Sequence, residues 1–529
     1  MPDLDVLVVG AGFGGLYALY KLREAGFRVL AVEAGSGVGG TWYWNRYPGA
    51  RCDVESMQYC YSFSPELEKE WRWTERYAAQ PEILRYLDHV AERFELNRDI
   101  RFDTRVLAAH WDEDALLWRV TTDDGATIAA RYCIMATGVL SAPKLPEWPG
   151  MAEFAGEIIH TAQWPHHPVD LTGKRVGVVG TGSSGIQVIP RIAEQAQSIT
   201  IFQRTPSFAV PASNRPLSED VIAEVHANYD SLRTAARASF LGFFGGPPAG
   251  PALADTEEER QAVFERSWNA GSTGLLQAYG DLLVDEEANS TAAEFARAKI
   301  RALIADPETA RRMTPQDYPI GARRLCAEIG YFDAVNRPNV ELVDVRETPI
   351  ENVTAHGIRT SEREYPLDVL VLATGFHAMV GALSRIDIRG VDGRALAEEW
   401  ADGPRSYLGL MVAGFPNLFT VTGPGSPSVL SNVVLSIEQH VGWIGDCLVA
   451  LRERGARRIE PTEQAEEDWM GHCDAIAQTT LFPRANTWYQ GRTRDGRQVF
   501  MPYVGGVGPY RDRCRAIAEA GYEGFVIGG

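Results

Sequence analysis

Residues 5 to 10, Asp-Val-Leu-Val-Val-Gly, form an apolar run without polar alternation, the pattern of a strand buried on both faces of a parallel sheet. The run ends in a turn, Gly10-Ala-Gly-Phe-Gly-Gly15, and the spacing then predicts a helix over Leu16 to Ala25 and a strand over Arg28 to Val32. The same order recurs downstream. Lys174 to Val179 reads as a strand, Gly180 to Gly185 as a tight turn, Ile186 to Ala196 as a helix and Ser198 to Phe202 as the next strand. Two further buried strands end in small-residue turns, at Tyr132 to Gly138 and Val369 to Gly375.

Between about Pro211 and Pro319 the pattern changes to charged, helical-looking segments, Ser218 to Arg237, Thr256 to Asn269 and Ala292 to Ala305, with a loop containing Gly245, Gly246, Pro247 and Pro248. Past His377 the chain mixes aromatics and glycines in a way that suits completion of the first sheet and its cleft. The expectation is an α/β protein with two Rossmann-like dinucleotide-binding domains, the second inserted into the first and carrying a helical subdomain. The boundaries fall at 1–141 and 377–529 for the first domain and 142–376 for the second, including a helical insertion over 211–320.

Composition narrows the partners. The chain has 529 residues, enough for three or four structural units at ~150 residues each. Lys and Arg number 51 against 70 Asp and Glu, so a net charge of -19 argues against nucleic acid and anionic membrane surfaces. Seven scattered cysteines with no C-x-x-C pair argue against a disulfide framework and a zinc site. Asp3 and Asp5 stand where a secretory signal carries basic residues, and no stretch offers the ~20 apolar residues of a membrane helix. A cytoplasmic location is expected.

The chemistry is carried by the two turns. Gly10, Gly12 and Gly15 lie between a strand and a helix, and Glu33 closes the second strand where an acid accepts hydrogen bonds from a ribose. This site suits FAD or NAD. The second unit ends instead in Gln203-Arg204-Thr205, and an arginine there pairs with the 2'-phosphate of NADPH, which an acid would repel. Two such folds in one chain suggest a flavoprotein reduced by a nicotinamide. A disulfide acceptor needs a redox-active cysteine pair, which the spacing does not supply, so oxygen is the expected acceptor.

The segment Phe154-Ala-Gly156-Glu-Ile-Ile-His160-Thr-Ala-Gln-Trp164-Pro165 fits F-x-G-x-x-x-H-x-x-x-W-P, and Gly39 to Asp53 forms a second long motif, Gly-Gly-Thr-Trp-Tyr-Trp-Asn-Arg-Tyr-Pro-Gly-Ala-Arg-Cys-Asp. Together they resemble the type I Baeyer–Villiger monooxygenases over nearly the whole chain, with Trp164 and Pro165 separating that family from related flavin hydroxylases. Ser361 to Tyr365, Gly423 to Ser428 and Thr487 to Tyr489 look most like its phenylacetone and steroid monooxygenase branch.

The resemblance implies that NADPH reduces FAD, that oxygen adds to the flavin C4a, and that the deprotonated peroxide attacks a ketone to give an ester or lactone. It places the catalytic arginine on Arg324, within Gly321-Ala-Arg-Arg-Leu-Cys326, and its carboxylate partner on Asp53. An arginine suits the role because it stays cationic beside a peroxide anion. Flavin contacts are implied for Gly40, Thr41, Trp42, Asp53, Tyr59 and Val106. NADPH contacts are implied for Thr181, Gly182, Ser183, Ser184, Gly185, Gln187, Arg204, Thr205, Arg323, Arg324 and Trp488, with Arg323 standing where relatives commonly carry lysine. Ser428, Val429 and Leu430 are implied to line the substrate pocket, and His160 to couple the domains rather than act as acid or base. The implied partners are a small ketone and oxygen, with no obligate protein partner. A flavin N- or S-hydroxylase and a non-catalytic redox sensor are the competing readings.

Overall fold

Alternate residues of the first strand, Leu4–Val9, enter different cores: Val6 and Val8 join one hydrophobic cluster, Leu7 and Val9 another on the opposite face. The polar alternation missing from the sequence is thus explained by a sheet covered on both sides. The architecture is that of a computed structural model describing residues 4–246 and 248–528; Asp3 and Pro247, read above, lie outside them.

The first sheet has eight strands, running in space Asp387–Arg389, Val106–Asp112, Leu117–Thr122, Thr127–Met135, Leu4–Val9, Val29–Val32 and Ile100–Arg101, with Leu418–Thr420 also paired to Thr127–Met135. Leu4–Val9 is parallel to both neighbours, setting Val9 opposite Val32 and Met135. The second sheet has five parallel strands in the order Val340–Asp344, Ser198–Gln203, Arg175–Val179, Val369–Leu372 and Glu157–His160. It too is buried on both faces: Val369 and Val371 enter one cluster, Leu370 and Leu372 another.

Both helices after the glycine turns begin three residues earlier than the apolar spacing indicates, at Phe13 and Ser183 rather than Leu16 and Ile186. The reason is steric. A Cβ on Gly15 would lie 1.8 Å from the Gly10 carbonyl oxygen, and one on Gly185 2.1 Å from that of Gly180, so these last glycines already belong to a helical turn packed on its strand.

The helical insertion contains Glu219–Ala238, Glu257–Ala270 and Glu286–Leu303. The third begins six residues before the expected Ala292. Its start is set by Asp285, whose side chain accepts from the Ala288 N–H, with Glu286 and Glu287 in the first turn, a capping signal that apolar periodicity does not register. A parallel ladder of Ala209–Pro211 with Cys326–Glu328 closes the insertion at its ends.

The region after His377, mixed in pattern, holds the long helices Val433–Glu453, Glu463–Gln478 and Val507–Glu519. Val433–Glu453 is buried on most sides, so it lacks the apolar stripe that marks a surface helix. The two crossings between the sheet units run side by side. Lys144 N–H donates to the Gly375 carbonyl at 2.9 Å, His377 N–H to that of Ala142 at 2.8 Å and Met379 N–H to that of Val139 at 2.9 Å.

All seven cysteines are buried free thiols. Among the described residues, no helix is long and apolar enough to cross a membrane.

The glycine geometry gives a paired prediction. Gly15→Ala should destabilise the protein by about 3 kcal/mol or more, since its methyl meets backbone that cannot yield. Gly442→Ala, in a helix with open space at the Cβ, should be neutral or stabilising by up to ~1 kcal/mol. Urea unfolding of both variants checks the contrast.

Candidate active site

The Gly39–Asp53 segment folds over the first glycine turn. Gly40 has φ +52, and a Cβ on Gly12 would lie 3.3 Å from the Gly40 Cα, so two glycines face each other where any side chain would separate them. Thr41 and Trp42 open the short helix that follows. The Trp42 Nε1–H donates to the Tyr59 hydroxyl at 3.2 Å, and the two rings meet edge to face. Val106 is buried at the start of its strand. Glu33 supports the turn directly: its carboxylate accepts from Ala11 N–H at 2.9 Å and Gly35 N–H at 2.8 Å. Burial pushes that carboxyl up, while these backbone donors pull it down.

In the second unit, Gly182 caps the helix Ser183–Ala193 with no side chain, and a Cβ there would meet nothing within 4 Å. Thr181 Oγ1 donates to the Thr205 carbonyl at 3.2 Å, and Ser183 Oγ lies 3.5 Å from Cys326 Sγ. The Tyr47 phenol is bonded to Ser184 as well as to Gln187. Gln187 spends its amide on the other unit, accepting from the Tyr47 hydroxyl at 2.8 Å and donating to the Arg51 carbonyl at 3.0 Å. Arg204 is exposed and makes no ion pair among the described residues. Arg323 lies over the Tyr318 ring at 5.2 Å, and the Tyr318 hydroxyl donates to the Pro206 carbonyl at 2.9 Å, tying the Arg323 segment close to Arg204.

Among the ion pairs that join the two units, one brings the sequence-predicted catalytic residues together. Arg324 Nε and Nη2 donate to the two oxygens of Asp53 at 2.6 and 2.7 Å, across 271 positions of sequence. Arg324 Nη1 donates to the Val429 carbonyl at 2.8 Å. The side chains of Arg324 and Asp53 remain 30% and 20% exposed, so the pair is within reach of a ligand. Of the five N–H groups of the guanidinium, the Asp53 carboxylate and the Val429 carbonyl take three, and the Tyr489 phenol is hydrogen-bonded to the same guanidinium. Burial alone would push Asp53 up and Arg324 down, but each holds the other charged: Asp53 sits below the usual carboxylate range and Arg324 above the usual guanidinium value.

Arg324 is therefore in direct contact with the sequence-predicted residues Asp53 and Val429, and Trp488 packs against the hydrophobic cluster that holds Val429 and Tyr489. Ser428 and Leu430 flank Val429 in a short turn, Ser428 at φ +24.

Two contributors escaped the sequence reading. Tyr489 is buried next to Arg324, its phenol pushed up to about 12 by burial although the Arg324 charge pulls it down, so it stays neutral. Its only sequence signal is its place in the Thr487–Tyr489 segment. Ser272, in the helical insertion, donates from Oγ to the Asp53 carbonyl at 2.7 Å, and nothing local in the sequence announces it.

Residues 4–234 match the family described as pyridine nucleotide-disulphide oxidoreductase. Over 99% of its length the chain is 43% identical to a Baeyer–Villiger monooxygenase of Pseudooceanicola batsensis, covering 96% of that protein. The chain belongs to the Baeyer–Villiger monooxygenases. It is also 43% identical to a phenazine N-monooxygenase of Lysobacter antibioticus, over 99% of this chain and 97% of the relative. Among solved structures, oxidised steroid monooxygenase bound to NADP superposes with a TM-score of 0.95 at 53% identity, covering 99% of each chain.

Two buried histidines brace this monooxygenase away from its ion pair. His160 Nδ1 accepts from Ala162 N–H at 3.0 Å and Nε2 lies 3.2 Å from Thr374 Oγ1, whose hydroxyl donates to the Lys144 carbonyl, so it holds the two crossings together. His440 Nδ1 accepts from Thr422 N–H at 3.1 Å, at the start of the loop that leads to Val429. Burial lowers both, His440 to about 3, so both are neutral.

Since His440 titrates near 6.5 when unfolded, the unfolded state binds the extra proton first. Stability is complete above pH 6.5 and falls as the pH drops from there towards 3. His440→Asn, which keeps an acceptor for Thr422, should lose less stability than the parent between about pH 7.5 and about pH 5, measured by urea unfolding at both.

Proposed function

We propose that this chain is an FAD- and NADPH-dependent monooxygenase converting ketones, of aryl-aliphatic, cyclic or steroid-like type, to esters or lactones. The observation that carries the reading is the bidentate Asp53–Arg324 pair, placed where two dinucleotide folds meet and still partly exposed.

The residues fit two dinucleotides. Each glycine-turn helix starts at a glycine with no capping side chain, leaving backbone N–H groups for a pyrophosphate, and open space stands before Gly182. FAD would be held in the eight-stranded unit by Gly10, Gly12, Gly15, Glu33, Gly40, Thr41, Trp42, Asp53, Tyr59 and Val106. NADPH would be held in the five-stranded unit by Thr181, Gly182, Ser183, Ser184, Gly185, Gln187, Arg204, Thr205, Arg323, Arg324 and Trp488. Gln187 would act from its backbone and stem, because its amide is committed to Tyr47 and Arg51. When bound, the flavin accepts two electrons from NADPH and activates oxygen.

The protein's own contribution is electrostatic. Arg324, held above its ordinary value by Asp53, cannot give up a proton to a neighbouring oxyanion and so stays cationic as negative charge builds during oxygen insertion. Asp53 grips one edge of the guanidinium, the Val429 carbonyl a third N–H and the Tyr489 phenol a further one, so the cation keeps a fixed direction. Tyr489, buried beside Arg324 and neutral, brings no competing charge to the pair. Ser428, Val429 and Leu430 would shape the ketone pocket.

The test incubates the FAD-loaded chain with NADPH, oxygen and a panel of aryl, cyclic and steroid ketones plus a phenazine, with product analysis. Ester or lactone formed in step with NADPH use is the expected result; oxidation of the phenazine nitrogen with every ketone untouched would overturn it. Arg324→Ala should still let NADPH reduce the flavin while ester formation falls by at least ~10²-fold, as removal of a group stabilising developing charge does. Unimpaired ester formation in that variant would refute the role of Arg324. Arg204→Ala should raise KM for NADPH about tenfold or more and leave KM for NADH unchanged, since one charge-assisted contact is lost, as read from initial rates.

A further inference from the structure

We propose that Asn432 is a positioning residue for Arg324, acting through the loop whose Val429 carbonyl accepts from the guanidinium. The inference rests on the reading of Arg324 given above.

Asn432 is fully buried, and its backbone N–H, side-chain amide and side-chain oxygen each bind a different part of the chain. Its backbone N–H donates to the Leu241 carbonyl of the helical insertion at 2.9 Å. Its Nδ2 donates to the Gln58 carbonyl at 2.8 Å, five residues beyond Asp53. Its Oδ1 accepts from Val434 N–H at 3.2 Å, capping the helix Val433–Glu453.

Gln58 is the second half of the clasp. Its Oε1 accepts from Phe244 N–H at 2.8 Å, and its carbonyl also takes Arg233 Nη1 at 3.3 Å. Arg233 in turn forms a buried pair with Glu68 at 2.9 Å, both side chains at most 6% exposed, which fixes the helix Glu219–Ala238 against this segment. The short loop before Asn432 is stiffened from within: Ser431 Oγ donates to the Ser428 carbonyl at 3.2 Å and lies 3.0 Å from Ser436 Oγ.

The carboxylate side of Arg324 and its carbonyl side thus descend from two segments, one ending in Asp53 to Gln58 and the other in Val429 to Asn432. The Asn432–Gln58 hydrogen bond ties them to each other behind the site. Without it, the Val429 carbonyl is free to shift relative to Asp53, and the guanidinium of Arg324 loses its aim. Displacements of this kind act on the oxygenation step, not on hydride delivery.

Two variants in the full-length, FAD-loaded chain separate the tie from the cap. Asn432→Ser keeps a good helix cap and removes the Nδ2 donor. Asn432→Asp keeps the cap and sets a carboxylate against the Gln58 carbonyl. In both, ester formed per NADPH consumed should fall about tenfold while flavin reduction by NADPH is unchanged. Amide hydrogen exchange should quicken in residues 241–244 and 429–434. Full coupling in both variants would overturn the proposal, as would lost coupling with unaltered exchange. Lower flavin content and slower reduction at unchanged ester per NADPH would mark a merely structural residue and overturn it as well. If Arg324→Ala itself still makes ester, the reading of the site fails; if it is inactive while Asn432→Ser stays coupled, only the role of Asn432 fails.

Discussion

Everything in the site is organised around a guanidinium that cannot leave its carboxylate. An arginine and an aspartate drawn out of bulk water each lose hydration, and only their mutual contact offsets it; deleting one partner of such a pair costs about 3–5 kcal/mol when it is fully buried, and less here, where both side chains remain partly exposed. The pair is bidentate, so it fixes orientation as well as charge. Because its members come from the two different sheet units, the same contact that tunes the chemistry also registers one unit against the other.

The supporting contacts repeat that logic at lower stakes. Gln187 reaches from the second unit to Tyr47 and Arg51 of the first, and Ser272 reaches from the helical insertion to the backbone of Asp53. Neither contact is chemical in itself. Each fixes a segment that a flexible loop would leave free, and a site whose supporting residues are fixed needs less reorganisation when charge develops.

Much of the fold was readable because both glycine turns carry their constraint locally: a strand with no polar alternation, a glycine forced by a close approach, and a second strand nearby. The second strand end at Arg204 was likewise local. Helix starts were displaced where polar capping residues, not apolar ones, set the boundary, as at Asp285. The helix Val433–Glu453 went unassigned because burial on most sides removes the periodicity that announces a helix. The pairing of Asp53 with Arg324 came from resemblance alone, since a separation of 271 positions holds no statement about which side chains meet. Ser272, Gln58 and Asn432 were silent for the same reason: a serine or amide used once, over a long separation, leaves no pattern in its neighbours.

The paired crossings at Val139–Lys144 and Gly375–Met379 bear on how such a molecule changes over evolutionary time. Because the chain leaves the first unit and returns to it along one hydrogen-bonded ladder, the intervening block enters and exits at a single seam. Such a block can be exchanged between relatives as a cassette with one backbone junction, provided that it brings an arginine to Asp53, a glutamine to Tyr47 and the insertion's partners to Gln58, Glu68 and Asn432. Selection on the incoming piece then falls on these contact points, and the surface away from them is at liberty to diverge.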